Sequence, residues 1–202
     1  MASSNLCFAI FPCMFTLLVL TAPPAFANII ARRDPPLLTK SHEQQHWLNH
    51  GGDLHNRRYA EKETKINPQT VSMLSLKWKF YAGNDITATP AIFDGTLYFP
   101  SWNGYIYAVR ASDGYLLWKK NLEALTDLNG TGLVLNVNVT VSRSTPTVAG
   151  KLLIFGIYGP AVVIAVKRLT GELVWKTKLD DHAASVVTMS GTYYNGSVNF
   201  LK

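Results

Sequence analysis

The sequence contains little cysteine, and both cysteines, Cys7 and Cys13, lie within its first 27 residues. A chain that loses this segment has no disulfide framework, no thiolate zinc site and no cysteine nucleophile. Charge is also sparse, at 16% of residues, and the 19 Lys and Arg are scattered rather than gathered in a basic stripe. This pattern does not support nucleic-acid binding. Because 48% of residues are apolar, the composition favours a folded chain over a disordered one.

Residues 1–27 carry no charged side chain, and Leu6 to Leu20 is almost wholly apolar. Pro12 interrupts this run, which is also shorter than the about 20 residues that span a bilayer as a helix. The run is followed by Ala25-Phe26-Ala27, the small-x-small pattern that signal peptidases accept. We therefore predict a signal peptide, cleaved after Ala27, and a secreted product. An N-terminal anchor is the alternative interpretation.

Three glycosylation sequons follow in the predicted mature chain, at Asn129, Asn138 and Asn195. In an exported eukaryotic protein these asparagines are predicted to carry glycans. Asn-Gly, which occurs at two of the three positions, is also a common turn dipeptide.

Two segments of the chain resemble each other, residues 88–119 and residues 144–176. Each contains an early Thr-Pro, and each divides into four short apolar stretches separated by turn signals such as Asp94-Gly95. Each ends in Ala-x(5)-Gly-x(3)-Trp, in which the Gly makes a turn and the Trp offers a large surface for docking on the next unit. Such self-similarity predicts a β-propeller. The residues of this motif are Ala108, Gly114, Trp118, Ala165, Gly171 and Trp175.

The predicted fold class is all-β, an incomplete β-propeller with about two and a half four-stranded blades and an N-terminal orphan strand at residues 74–80. The blades occupy about residues 86–122 and 142–181, with a partial blade at 185–202. We predict a signal peptide at 1–27, a lead-in at 28–73 and the partial propeller at 74–202. Open blade edges predict self-association, since unpaired strand edges are templates for pairing.

The lead-in reads WLNHGGDLHNRRY from Trp47 to Tyr59. It resembles the opening W-x(3)-G-G-D-x-x-N-x-R-Y motif of alcohol dehydrogenases that use pyrroloquinoline quinone (PQQ). The Trp motif is similar to the docking signature of these quinoprotein propellers, and stretches such as YFPSWNGYIYAV look most like the polyvinyl-alcohol dehydrogenases. The resemblance implies an eight-bladed propeller with PQQ and Ca²⁺ near its axis, and an Asp base that assists hydride transfer from a small alcohol.

The same resemblance implies two cofactor-binding residues in this chain. Arg143 matches an arginine that contacts the oxygens of PQQ, and Thr188 matches a threonine that hydrogen-bonds the cofactor. Thr87 stands where the better-known alcohol dehydrogenases have a PQQ-binding Glu. The family's metal ligands and base have no counterpart here, so we expect an alcohol oxidoreductase site that is incomplete in this chain.

Two other functions remain open at this stage. The first is a non-catalytic secreted propeller segment that binds a glycan or protein through an aromatic face. The second, a remote one, is a zinc peptidase, because residues 42–46 spell H-E-x-x-H and His50 extends that spacing. The polar surroundings of this stretch do not favour a zinc-binding helix. The aromatic face would comprise Tyr98, Trp102, Tyr105 and Tyr107, and the zinc site His42, Glu43, His46 and His50.

Overall fold

The computed structural model describes residues 5–9, of which only the backbone is considered, together with residues 46–131 and 138–200. Almost all regular structure in these ranges is β-strand, apart from a 3₁₀ turn at Val71–Met73 and a short helix, α1, at Leu122–Thr126. The strands are β1 (Asn5–Ala9), β2 (Leu76–Tyr81), β3 (Ala91–Phe93), β4 (Thr96–Ser101), β5 (Tyr105–Arg110), β6 (Leu116–Asn121), β7 (Thr147–Ala149), β8 (Leu152–Ile157), β9 (Val162–Lys167), β10 (Leu173–Lys178), β11 (Thr192–Tyr194) and β12 (Ser197–Asn199).

The strands form consecutive antiparallel sheets that follow the sequence repeat. Blade 1 has the order β3-β4-β5-β6, and blade 2 has the order β7-β8-β9-β10. The hairpin β11-β12 begins blade 3. The first strands of neighbouring blades contact one another, as β3 does β7 and β7 does β11. This arrangement confirms the predicted incomplete β-propeller.

The tight turns between strands are encoded locally. Asp94 and Asn195 adopt left-handed backbone angles, with φ of 48° and 45°, and the glycines after them have φ of 67° and 83°. Two successive residues at positive φ make the two-residue hairpin whose twist matches that of antiparallel strands, and Asp-Gly and Asn-Gly tolerate it best. The turn chemistry therefore sets where the first two strands of blades 1 and 3 begin and end.

The core is layered between successive sheets because neighbouring residues of a strand point to opposite faces. Tyr98 packs with Phe155 and Ile164 of blade 2. The next residue, Phe99, packs with Trp78 on the β2 side of blade 1. Each blade thus buries both faces, one against the preceding sheet and one against the following sheet.

The aromatic face proposed from the sequence does not exist as an exposed surface, and that expectation is wrong. Tyr98 is 1% exposed, Tyr107 is 5% exposed and Trp102 is 9% exposed. Tyr98 and Tyr107 belong to the cores on opposite faces of blade 1. Alternation along β4 and β5 divides the aromatic residues between two interfaces.

A tryptophan connects each sheet to the next. The Trp78 ring lies against Gly114, and its Nε1 donates a hydrogen bond to the Ala111 carbonyl at 3.0 Å. In blade 1, the Trp118 ring lies against Gly171 of blade 2. Its Nε1 donates to a carbonyl in the same turn, that of Arg168, at 3.1 Å. The glycines are required because a Cβ at Gly114 or Gly171 would lie 2.8 Å from a ring carbon.

Strand β2 corresponds to the strand predicted to be an orphan, but it is paired. It runs antiparallel to β1, which lies inside the segment predicted to be a signal peptide. The orphan description is therefore wrong for this structure, whereas the signal peptide stays a prediction. Among the described residues, no helix is both long enough and apolar enough to cross a membrane.

Candidate functional site

A cavity of about 470 Å³ opens where the first strands of the three blades begin. Thr87, Arg143 and Thr188 line it, and each stands four positions before the first residue of β3, β7 or β11. Because these strands are neighbours, the same position of three consecutive blades meets in one place. Thr89, Thr145 and Ser190, two residues further along in each blade, also line the cavity.

Backbone hydrogen bonds place the segments that lead into the first strands. The amide of Trp102, just after β4, donates to the Asp85 carbonyl at 2.9 Å. The amide of Tyr158, just after β8, donates to the Val141 carbonyl at 2.8 Å. The Tyr158 carbonyl in turn accepts a 2.8 Å bond from Val187, next to Thr188. The cavity wall is therefore tied to the second strand of each complete blade.

Hydroxyl groups join blade 2 to blade 3 beside the cavity. The Thr147 Oγ1 donates to the Gly191 carbonyl at 2.6 Å, and the Ser144 Oγ donates to the Met189 carbonyl. The amide of Thr145 donates to the Ser190 Oγ at 2.9 Å. These bonds satisfy polar groups that are largely buried and set Thr188 beside Arg143.

Among the lining residues that the structure describes, Arg143 is the single Arg or Lys, and none is Asp or Glu. The Arg143 guanidinium carbon lies 5.5 Å from the centre of the Trp102 ring and 5.7 Å from the centre of the Tyr158 ring. The Trp102 Nε1 donates to the Thr87 Oγ1 at 2.9 Å. The Thr87 hydroxyl therefore serves as an acceptor in the cavity wall.

The lead-in crosses the first strands and brings a histidine to the cavity. Trp47 and Ile92 exchange two backbone hydrogen bonds, and the Leu48 carbonyl accepts one from Val148 of blade 2 at 2.9 Å. His50 then lines the cavity, and its Nδ1 is buried without a hydrogen-bond partner among the described residues. The sequence had offered His50 only as a zinc ligand, and its position beside Gly51 in the motif was the available signal.

The acidic residue of the lead-in motif stabilises the loop and lies outside the cavity. Asp53 accepts hydrogen bonds from the His55 and Arg57 amides, and its Oδ2 lies 2.5 Å from the Arg57 Nε. The Arg57 side-chain hydrogen bond is the main reason that the pKa of Asp53 is lowered from its ordinary value. A carboxylate engaged in this way holds the Gly-Gly-Asp turn together.

In the described ranges 46–131 and 138–200, no three His, Cys, Asp or Glu side chains form a group that could hold a metal ion. His42 and Glu43 of the H-E-x-x-H pattern lie outside the described residues. His46 is exposed and stacks on Phe93, with 4.7 Å between ring centres.

The three sequon asparagines, Asn129, Asn138 and Asn195, are all exposed. They lie away from regular strands, and Asn195 occupies the turn between β11 and β12. In the second sequon the Thr140 side chain is buried, and its hydroxyl donates to the Leu128 carbonyl.

The tryptophan-motif residues occupy equivalent places in the two blades. Ala108 and Ala165 are fully buried and pair across the strands with Trp118 and Trp175. Trp175, at 38% exposure, is the more open of the two tryptophans. At the position after each Ala-Val pair, Arg110 pairs with Asp113 and Lys167 pairs with Glu172.

Comparison with known families gives two matches that together follow the lead-in and the blades. Residues 47–132 match the glucose/ethanol/alcohol dehydrogenase β-propeller domain. Residues 103–195 match the family described as outer membrane protein assembly factor BamB.

Individual relatives and solved structures are also similar to this chain, and several are alcohol dehydrogenases. The chain is 28% identical over 188 residues to quinohemoprotein alcohol dehydrogenase ADH-IIG of Pseudomonas putida, covering 90% of this chain and 25% of that protein. It is 24% identical over 164 residues to a polyvinylalcohol dehydrogenase of a Pseudomonas species, covering 81% and 24%. The crystal structure of quinohemoprotein alcohol dehydrogenase from Comamonas testosteroni shares the fold, with a TM-score of 0.64 and 21% identity over 76% of this chain and 22% of that one.

The chain thus spans about a quarter of the length of the curated relatives that it matches. The four-stranded blades, the tryptophans docked on glycine turns and the matches along residues 47–195 lead to one conclusion. The chain has the fold of a β-propeller and is similar in sequence to the propeller domain of the quinoprotein alcohol dehydrogenases and polyvinyl-alcohol dehydrogenases.

Proposed function

We propose that this chain provides part of the PQQ site of an alcohol-oxidising quinoprotein, and that the cavity at Thr87, Arg143 and Thr188 holds the cofactor. The observation that carries the proposal is the convergence of one blade position from three blades on a single cavity. Both residues matched to cofactor-binding positions, Arg143 and Thr188, lie in its wall.

The chemistry of the lining suits PQQ, a planar aromatic anion rich in oxygen. Arg143 presents a planar set of N–H donors, which pairs well with carboxylate or quinone oxygens. Hydroxyl groups from all three blades add neutral donors, and no carboxylate among the described lining residues repels an anion. The unpartnered Nδ1 of His50 is a further polar atom that a ligand in the cavity would satisfy.

Bound PQQ would supply the redox chemistry, as the acceptor of a hydride from an alcohol. The residues of this chain would bind and orient it. We propose in addition that the Ca²⁺ ligands and the catalytic base are not among the lining residues that the structure describes, since these include no Asp or Glu. Binding rather than turnover is therefore the readout that tests the proposal.

A titration of the purified chain with PQQ, followed by calorimetry, tests the cavity directly. Arg143→Ala is expected to weaken binding about 10- to 100-fold, the usual effect of losing a hydrogen bond to a charged group. Thr188→Val should weaken it by about threefold to tenfold. Arg110→Ala is the matched control, because that exposed arginine pairs with Asp113 and does not line the cavity. Equal affinity in the wild type and Arg143→Ala would overturn the proposal.

We also propose that the protein is exported, that residues 1–27 are removed, and that the sequon asparagines are glycosylated. The exposed positions of Asn129, Asn138 and Asn195 support access to all three sites. N-terminal sequencing of protein from secreting eukaryotic cells should start at Asn28, and glycosidase treatment should lower its mass. A product that keeps Met1 and has unmodified mass would contradict this proposal.

A further inference from the structure

Two aromatic residues occupy the same position in blades 1 and 2, and both contact the cavity arginine. Trp102 follows β4 directly, and Tyr158 follows β8 directly. Each side chain is 9% exposed, and together with Val141 they form a small buried cluster. Their ring centres lie 6.3 Å apart, so the two rings and the Arg143 guanidinium form a triangle with sides of 5.5, 5.7 and 6.3 Å.

Trp102 contacts a second cavity residue as well. Its indole N–H donates to the Thr87 hydroxyl at 2.9 Å, while its ring faces Arg143. One side chain of blade 1 therefore restrains two lining groups that come from different blades. Tyr158 supports the same wall from blade 2, since its backbone joins the segments that carry Arg143 and Thr188.

We propose that Trp102 and Tyr158 are positioning residues that hold the Arg143 guanidinium, and through Trp102 the Thr87 hydroxyl, ready for a planar anionic ligand. The part of this inference that concerns the ligand rests on the proposed function.

The physical basis is the attraction between a cation and the electron-rich face of an aromatic ring, which acts within about 6 Å of the ring centre. A ring contact uses none of the guanidinium's N–H groups as a carboxylate would, so these groups stay available for oxygen atoms of a ligand. Arg143 has no acidic partner among the residues that the structure describes, so no carboxylate holds it in place of the rings. Restraint before binding reduces the side-chain entropy that ligand capture costs.

Substitutions at Trp102 distinguish the contribution of its ring to PQQ binding from the contribution of its indole N–H group. Trp102→Leu removes both and should weaken PQQ binding about 10-fold. Trp102→Phe keeps a ring face and removes the indole N–H, so a loss of about threefold is expected, which Thr87→Val should match. Tyr158→Leu should weaken binding about threefold to fivefold. Tyr158→Phe is the matched control and should bind like the wild type, because its ring is retained.

A double-mutant cycle distinguishes positioning from a general structural role. If the Trp102 ring acts through Arg143, then in the Arg143→Ala background Trp102→Leu should cause only the loss of about threefold that arises from the Thr87 contact. An equal fold-change from Trp102→Leu in both backgrounds would overturn the inference. Thermal melts of every variant check that the chain remains folded, and Trp102→Phe combined with Tyr158→Leu replaces Trp102→Leu if that variant does not fold.

A second measurement does not depend on the cofactor. In nitrogen-15 NMR spectra, the Arg143 Nε–H signal, assigned by its absence in Arg143→Lys, should be shifted by the currents of the two rings. The shift should shrink in Trp102→Leu and in Tyr158→Leu but persist in Tyr158→Phe. If the NMR shifts follow this pattern but the wild type does not bind PQQ, the proposed function is contradicted. The positioning role of Trp102 and Tyr158 remains supported in that case. An Arg143 signal that is insensitive to both leucine substitutions would overturn the positioning role.

Discussion

Trp118 and Trp175 end the same sequence motif, and their surroundings differ. Each pairs with a buried alanine on the neighbouring strand of its own blade. Trp118 then lies against Gly171 and donates to the Arg168 carbonyl. Trp175 is 38% exposed, and its indole N–H has no hydrogen-bond acceptor within the described part of the chain. The Ala-x(5)-Gly-x(3)-Trp motif therefore provides a tryptophan that can dock. How far that tryptophan is buried depends on its contact with a turn of the next blade.

At the boundary between blades 2 and 3, hydroxyl groups add hydrogen bonds to an apolar core. Thr147 and Ser144 donate to carbonyls at Gly191 and Met189, close to the cavity. The two boundaries thus differ in chemistry. Both boundaries contain an apolar core, but blade 1 is also attached to blade 2 by a docked indole, whereas blade 2 is also attached to blade 3 by hydroxyl bonds near the first strands.

The largest expected effect on stability comes from replacing each of the two tryptophans separately by alanine. Trp118→Ala should lower the free energy of unfolding by about 3 kcal/mol, because it leaves a void beside Gly171 and removes a hydrogen bond. Trp175→Ala should lower it by about 1 kcal/mol or less, as expected for a side chain that is partly in water. Urea denaturation of both variants measures the difference. Equal losses would show that the two environments are the same in solution.

A smaller effect is expected when a methyl group is added to the glycine against which the Trp118 ring packs. Gly171→Ala should lower the free energy of unfolding by about 2 kcal/mol, because its φ is 69° and the new Cβ would lie 2.8 Å from the Trp118 ring. Gly150→Ala is the matched control, since its φ is 60° and nothing lies within 4 Å of its Cβ position. That variant should show only the backbone strain, about 1 kcal/mol. If the two variants lose equal stability, contact with Trp118 contributes nothing.

The smallest effect concerns the equivalent turns of blades 1 and 2 at acid pH. The pKa of Asp113 is lowered mainly by the Tyr115 amide that donates to it, and the pKa of Glu172 mainly by the Lys167 side chain. A lowered carboxyl pKa stabilises the fold at pH above the unfolded value, and this stabilisation is lost as the pH falls through the folded value. Both carboxyls are exposed, so we expect only a slight loss of stability below about pH 4.

Carboxyl NMR titrations of the wild type measure both pKa values, and denaturation midpoints between neutral and acid pH measure the stability. Asp113→Asn should remove the part of the pH dependence that arises in blade 1, and Glu172→Gln the part from blade 2. A titration at the ordinary carboxyl values would show that neither turn holds its charge in the folded state.

Much of the fold could be predicted because its signals are local. Asp94-Gly95 and Asn195-Gly196 each adopt the positive φ angles that their dipeptides favour, and each closes a hairpin. The predicted aromatic face was wrong because the sequence shows Tyr98 and Tyr107 as part of one aromatic stretch. The pleat of the strands then sends them to opposite faces of blade 1. Helix α1 was also missed, since it lies outside the repeat and has only five residues between its caps, Asn121 and Asp127.

The sequence by itself determined the strand repeat, the turns and the positions of the docking tryptophans, because each depends on residues a few positions apart. Tertiary structure alone decided that Trp118 is docked and Trp175 partly exposed. It also brought Thr87, Arg143 and Thr188 to one cavity. The physical reason is distance along the chain. Whether residues more than about forty positions apart meet depends on how the sheets stack, and neither residue type nor local spacing specifies that stacking.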